Sequence, residues 1–222
     1  ASGCTAGCRQ VSQARPYQAD MIERIEAAWR AGERDVLGVL PTGGGKTFVF
    51  SSVIARASVP AAAIAHRQEL TAQMSLALAR NDVRHRVVGP ASVAAACRAA
   101  HLDELGRHFV DPSARVGVCG VDTLVRLPES DPWLRQVQLV VTDEAHHLVR
   151  GNKWGTGLEM FPNAKGLGVT ATPLRADGKG LGRHADGVFD SMVQGPGMRD
   201  LIDAAYLTDY RIFAPESDID LS

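Results

Sequence analysis

Between Pro16 and Arg30, the apolar residues Met21, Ile22, Ile25, Ala28 and Trp29 recur every three or four positions, the period of a helix that buries one face. Pro16 suits the first turn of that helix, where a missing N–H costs nothing. The pattern then changes. Residues 35–40 (DVLGVL) form a short, mainly apolar run that ends at Pro41-Thr42-Gly43-Gly44-Gly45. A short run closed by glycines reads as a strand covered on both faces, and residues 46–57 return to a helical pattern. The same alternation predicts strands at 61–65, 83–88, 115–119, 137–142 and 166–170, with helices running to Arg80 and across most of 91–109. After Pro173, glycines at 178, 180, 182 and 187 punctuate a polar stretch that reads as a mobile loop. A helix at 198–206, a last strand at 210–214 and a linker from 215 onward complete the pattern.

Strands that alternate with helices imply an α/β domain whose mostly parallel sheet carries helices on both faces. At 222 residues, 45% hydrophobic and 22% charged, the chain has the length and composition for one such domain, with no room for a second of similar size. A net charge of −1 argues against a protein held to nucleic acid by bulk positive charge, so any such contact is expected to be local. No apolar run approaches the ~20 residues that span a bilayer, and no signal pattern opens the chain; we expect a cytoplasmic protein without membrane contact. The four cysteines, Cys4, Cys8, Cys97 and Cys119, have no zinc-ligand spacing. Ala1-Ser2 is what the codons GCT-AGC encode, and residues 3–8 spell those same six letters. Residues 1–10 are therefore expected to be a cloning remnant, with the domain over 11–217 and the linker over 218–222.

Two clusters carry candidate chemistry. Pro41-Thr42-Gly43-Gly44-Gly45-Lys46-Thr47 lies between a strand and a helix, where backbone N–H groups and a helix N-terminus can close around phosphate oxygens. Lys46 would neutralise the β- and γ-phosphates, and Thr47 would offer its hydroxyl to Mg²⁺. Leu40 stands where the generic phosphate-loop pattern has a glycine. The second cluster, Asp143-Glu144-Ala145-His146, follows an apolar strand and delivers two acids to its C-terminal end. Two adjacent carboxylates repel each other, so a cation is expected beside them. Asp143 would hold Mg²⁺, and Glu144 would orient and deprotonate the water that attacks the γ-phosphorus. Taken alone, the acid pair also suits a helix N-terminus. The glycine turn and the acids are expected on neighbouring strand ends.

Together with Thr170-Ala171-Thr172, these segments resemble motifs I, II and III of the superfamily 2 helicases. The resemblance runs from Arg15 to about Ser217 and is nearest to the DEAH-type group that includes restriction-enzyme motor subunits and RadD-like or phage DNA helicases. It implies a RecA-like domain that binds ATP through the loop, with Lys46, Asp143 and Glu144 catalytic and Leu40 tolerated. Arg15-Pro16-Tyr17-Gln18 resembles the family's adenine-reading segment, which implies that Gln18 contacts the base and Arg15 assists. Ala65-His66-Arg67 and Val121-Asp122-Thr123 resemble backbone-gripping segments, giving Arg67 and Thr123 as nucleic-acid contacts; each residue equally suits a solvated helix start. His146, Thr170 and Thr172 would couple nucleotide state to bound strand. His147 reads as a packing residue, and Arg175 as either a loop arginine or part of that cluster.

In this family a second RecA-like domain supplies arginines across the nucleotide, so a partner domain in cis or in trans is implied, and the chain alone is expected to hydrolyse ATP slowly. The implied activity is ATP-driven movement on nucleic acid, DNA rather than RNA. Two other readings compete: the motor part of a type I or III restriction endonuclease, and a nucleotide-gated clamp that grips without moving.

Overall fold

The periodic segment at the N-terminus forms α1 (Pro16–Arg30) with the bounds expected, and Met21, Ile22 and Ile25 bury its inner face. The chain is described by a computed structural model, which covers residues 14–65, 68–149, 151–175 and 178–210. The expected remnant at 1–10, the linker at 218–222, Arg67 and nearly all of the expected strand at 210–214 lie outside these residues.

Seven strands follow: β1 (Asp35–Val39), β2 (Ala61–Ala65), β3 (His85–Val88), β4 (Val116–Gly120), β5 (Leu139–Asp143), β6 (Lys165–Thr170) and β7 (Ser191–Gln194). They build one sheet in the order β3-β4-β2-β5-β6-β1-β7, and every pairing is parallel. A parallel sheet needs cover on both faces, and this is why the strands read as continuous apolar runs. Along β2, Ala61, Ala63 and Ala65 join one core while Ala62 and Ile64 join the other. The first core is covered by α1, α2 (Lys46–Ala57) and α3 (Gln68–Arg80), through Met21, Phe50, Ile54 and Leu78. The second lies under α5 (Val121–Leu124), α6 (Pro132–Gln136) and α7 (Lys153–Glu159), with Trp133 and Phe161 edge to face at 5.6 Å. Helix α4 (Ala91–Leu105) packs on α3 beside the β3 edge, and α8 (Met198–Asp203) follows β7. Among the described residues no helix is long and apolar enough to cross a membrane.

The stretch after Pro173 is irregular, as expected of a loop, but it is packed against the sheet. Leu181, Val188 and Phe189 are buried in the second core, and the stretch descends across the sheet to begin β7. Its foot is tied down by charge. Arg183 pairs with Asp190 and reaches Asp35 Oδ2 at 3.1 Å, while Asp190 Oδ2 accepts from the N–H groups of Arg34 and Asp35 at 2.9 and 2.8 Å. Burial raises the Asp35 carboxyl above its usual range, and Asp190 adds to the push; Arg34 and Arg183 oppose it.

Candidate functional site

Three strands, β5, β6 and β1, deliver their C-terminal ends to one edge of the sheet. The glycine turn leaves β1 and the acids leave β5, but the two strands are not neighbours. β6 lies between them, pairing Thr170 with Val39 on one side and Val169 with Asp143 on the other. The expectation of adjacent strand ends is thus corrected: the tip of β6 forms the floor between the clusters. Leu40 N–H donates to Thr170 O at 3.1 Å and fastens the start of the loop to that floor.

Within the loop, Pro41 and Thr42 lead to three glycines, two of which need their freedom. Gly43 and Gly45 have φ of +79° and +86°, in the left-handed region that side chains disfavour. At Gly45 a Cβ would also stand 2.3 Å from Gln18 Nε2. Gly45 caps α2 without a side-chain acceptor, so no cap side chain takes up the first N–H groups of that helix, from Lys46 onward. Thr47 is exposed in the same first turn. Lys46 Nζ lies 3.5 Å from Leu40 O, folded over the loop's own backbone.

On the far side of the β6 tip, Asp143 Oδ1 accepts from Glu144 N–H at 2.9 Å, and Glu144 takes a left-handed turn at φ +51°. Burial raises the Asp143 carboxyl above its usual range, and the Glu144 carboxylate adds to the rise; the Glu144 N–H, Lys46 and His146 pull the other way. Lys46 and the acid thus share one electrostatic neighbourhood although they come from different loops. His146 Nδ1 lies 3.3 Å from Glu144 Oε2 and 3.2 Å from Thr170 Oγ1. Thr170 is fully buried, and its hydroxyl both donates to Thr172 O at 3.0 Å and accepts from Thr172 N–H at 3.1 Å. A hydroxyl has one proton, so with it given to Thr172 the Nδ1 of His146 is the donor to Thr170 and Glu144.

The structure therefore brings together Pro41, Thr42, Gly43, Gly44, Gly45, Lys46, Thr47, Asp143, Glu144, His146, Thr170 and Thr172 on one edge. Gln18 and Arg15 border the loop from α1. Gln18 Nε2 lies 3.3 Å from Gly44 O, and its Oε1 accepts from Arg15 N–H at 3.0 Å. Thr123 sits in α5, past the end of β4 and two strands from β5. Arg175 turns its guanidinium to Ala185 O at 2.9 Å, within the descending stretch. His147 stacks on Trp154 at 5.8 Å. Sequence reasoning missed three neighbours of the loop. Tyr17 donates to Gly44 O at 2.9 Å, Tyr206 meets Tyr17 edge-on at 5.2 Å, and Leu207 lies against Gly43. Tyr17 lay inside a segment already singled out, whereas nothing local marks Tyr206 or Leu207. A cleft of about 790 Å³ opens at the opposite edge of the sheet, beside Pro60, Arg135 and Lys165, far from both acids and glycines.

Comparison with known proteins agrees with this geometry. The chain is 28% identical over 233 aligned positions to the putative ATP-dependent helicase IRC3 of Saccharomyces cerevisiae, a match that spans 97% of this chain and 31% of that protein. It is 29% identical over 194 positions to the putative mitochondrial ATP-dependent helicase irc3 of Schizosaccharomyces pombe, over 81% of this chain and 29% of that protein. The chain thus spans about a third of the length of either yeast relative. Among solved structures, the Hef helicase domain of Pyrococcus furiosus superposes with a TM-score of 0.60 at 19% identity, over 92% of this chain and 43% of that one. The UvsW helicase of bacteriophage T4 superposes with a TM-score of 0.60 at 18% identity, over 81% and 59%. These two likenesses establish the fold. Residues 12–175 match the family described as type III restriction enzyme, res subunit. The chain belongs to that family, and its fold is the RecA-like one of these helicase domains.

Proposed function

We propose that this domain binds Mg-ATP across the tip of β6 and, joined to a second RecA-like domain, couples its hydrolysis to movement on nucleic acid. The observation that carries the reading is the pairing, across one strand end, of an uncapped helix N-terminus bearing Lys46 with a half-buried acid pair, in which burial raises the Asp143 carboxyl. The α2 N–H groups and Lys46 receive the β- and γ-phosphates, an arrangement in which dipole and ammonium act on the same charge. For the metal, the donor set fits: the Asp143 carboxylate and the Thr47 hydroxyl are hard oxygens. Among the described residues no three His, Cys, Asp or Glu side chains gather as a metal cage. Thr47 and Asp143 would hold a Mg²⁺ ion, which needs few protein ligands and would supply positive charge to offset that of the phosphates. Glu144 orients the attacking water and takes its proton, and the left-handed turn at Glu144 sets its direction. His146 links Glu144 to Thr170, and Thr170 to Thr172, so the state of the γ-phosphate reaches the strand-end loop through short hydrogen bonds.

Thr123, past the end of β4 on the same edge as the nucleotide, and Arg67, which lies outside the described residues, are proposed to grip a nucleic-acid backbone. DNA is favoured over RNA by the overall likeness of the sequence; solved structures of this fold include a restriction-modification enzyme in complex with a DNA substrate mimic and also a hypothetical ATP-dependent RNA helicase. The likeness to the restriction-modification enzyme also keeps open a motor that translocates for a nuclease without separating strands. The cytoplasmic location expected from the sequence stays a proposal, set against a fission-yeast relative named as mitochondrial.

Calorimetric titration with ATP and magnesium tests the reading. Lys46→Ala should abolish binding, while Glu144→Gln should bind ATP as the parent does and leave it unhydrolysed. In the full-length protein, ATPase activity should rise with duplex or single-stranded DNA and far less with RNA. The isolated chain should turn over slowly, because an arginine from a second domain is worth about 10³ to 10⁵ in rate. Unchanged ATP affinity in Lys46→Ala would refute the assignment.

A further inference from the structure

The proposed phosphate site fixes where the rest of the nucleotide must go. The γ-phosphate end faces Asp143 and Glu144, so the base lies beyond the opposite flank of the loop, against the start of α1. There Gln18 is 5% exposed and its amide is already engaged at both ends, by Arg15 N–H and Gly44 O. It can hold the edge of a base only with what remains, and it offers no flat surface for a ring.

A flat surface is present from another part of the chain. The Arg15 guanidinium carbon lies 5.2 Å from the centre of the Tyr206 ring, and both groups are partly exposed beside the loop. Tyr206 is not on a loose tail. Its N–H donates to Leu201 O at 2.8 Å and the Ala205 N–H donates to Ile202 O at 2.9 Å, with Ala205 at φ +57°. This is a Schellman closure of α8, and it is made with alanine in the left-handed position that glycine usually fills. Leu201 is buried and anchors the closure, and Leu207 continues it onto Gly43. The local structure therefore fixes the backbone that carries the ring beside the loop and leaves the side chain its own rotation.

We infer that Tyr206 and Arg15 are the two walls of the base pocket, and that a purine base enters between the tyrosine ring and the guanidinium. The inference rests on the ATP reading above. Both walls stack on a π-face without reading its edge, so they select a flat aromatic base and leave adenine over guanine to Gln18. Stacked rings lie roughly 3.4 Å apart, so a base between two walls needs about 7 Å. The present separation of 5.2 Å means that Tyr206 swings outward on binding. Arg15 stays in place, held by its N–H bond to Gln18 and by its guanidinium bond to the Tyr17 hydroxyl at 3.1 Å.

Calorimetry of the 222-residue chain with two probes, Mg-ATP and inorganic tripolyphosphate, separates the base from the phosphates. Tyr206→Ala should weaken ATP binding about tenfold, the size of one lost base–aromatic stack, and leave tripolyphosphate within twofold. Tyr206→Trp should restore ATP affinity, because the wall needs only an aromatic face. Equal or tighter ATP binding by Tyr206→Ala would overturn the inference, since the ring would then be idle or in the way. A matching loss for tripolyphosphate would overturn it too, because the ring would then only support the loop. If the parent chain binds neither probe, the ATP reading itself falls; where the parent binds both, Lys46→Ala should lose both together, unlike Tyr206→Ala.

Discussion

Replacing Ser75 with alanine removes one hydroxyl from a fully buried chain of hydrogen bonds at the β3 edge. Ser75 Oγ lies 2.7 Å from His85 Nε2 and 3.0 Å from His101 Nε2, and all three side chains are sealed from solvent. The protons can be assigned. His85 Nδ1 faces Val83 O at 2.8 Å, an acceptor only, so Nδ1 carries the hydrogen and Nε2 accepts from Ser75. Ser75 then receives the Nε2–H of His101, whose Nδ1 accepts from Phe109 N–H at 3.2 Å. The chain runs one way through α4, α3 and β3, with both imidazoles neutral, and the Cys97 thiol leans on the same oxygen. Ser75→Ala strands one buried acceptor and one buried donor, at about 1–3 kcal/mol each, so a loss of about 3 kcal/mol is expected.

Acid should attack the same network. Burial pushes His85 down to about 4, with His101 adding a little and the Val83 carbonyl opposing. In the unfolded chain the ring titrates near 6.5, so the unfolded state takes up the proton first as pH falls. The stabilisation is complete above about 6.5 and is spent by about pH 4; between pH 7.5 and 5.0 it falls by about 2 kcal/mol. Urea denaturation followed by tryptophan fluorescence at the two pH values reads both effects. A Ser75→Ala chain as stable as the parent at pH 7.5 would refute the network, and so would a parent that loses less than about 0.5 kcal/mol by pH 5.0.

Two further outcomes are expected. Gly45→Ala forces a side chain into a left-handed turn and against Gln18, so ATP affinity should fall at least tenfold in a calorimetric titration while the melting temperature moves by only a few degrees; intact affinity would mean the loop rearranges freely. Arg183→Met leaves Asp35 and Asp190 facing each other at the foot of β1, and chemical denaturation should show a loss of about 2 kcal/mol, less than for a fully buried pair because Arg183 is itself half-exposed.

What the sequence disclosed followed how strongly each segment declares itself. α1 is amphipathic with a proline at its first turn, and strands buried on both faces have no polar interruptions, so both were legible almost to the residue. β7 was not. In Ser191–Gln194 only Val193 is well buried, and a four-residue edge strand with one core residue looks like a loop. The glycines at 178–187 marked the loop but not its packing: what organises that stretch is Arg183 meeting Asp35 across 148 positions of sequence, and no local pattern reports such a pair. The glycine turn and the acid pair were visible because each is contiguous. The strand between them, and the approach of Tyr206 to Arg15, exist only once the sheet is wound.

That intervening strand sets a gauge. Parallel strands lie about 4.8 Å apart, so two steps across the sheet hold the glycine turn and the acids roughly 9–10 Å from each other, the breadth of a phosphate with a hydrated ion. Residues at the summit of β6 must consequently stay small, as Thr170 and Ala171 are. A large ring installed at Ala171 would stopper the cradle while leaving every charged group in it untouched.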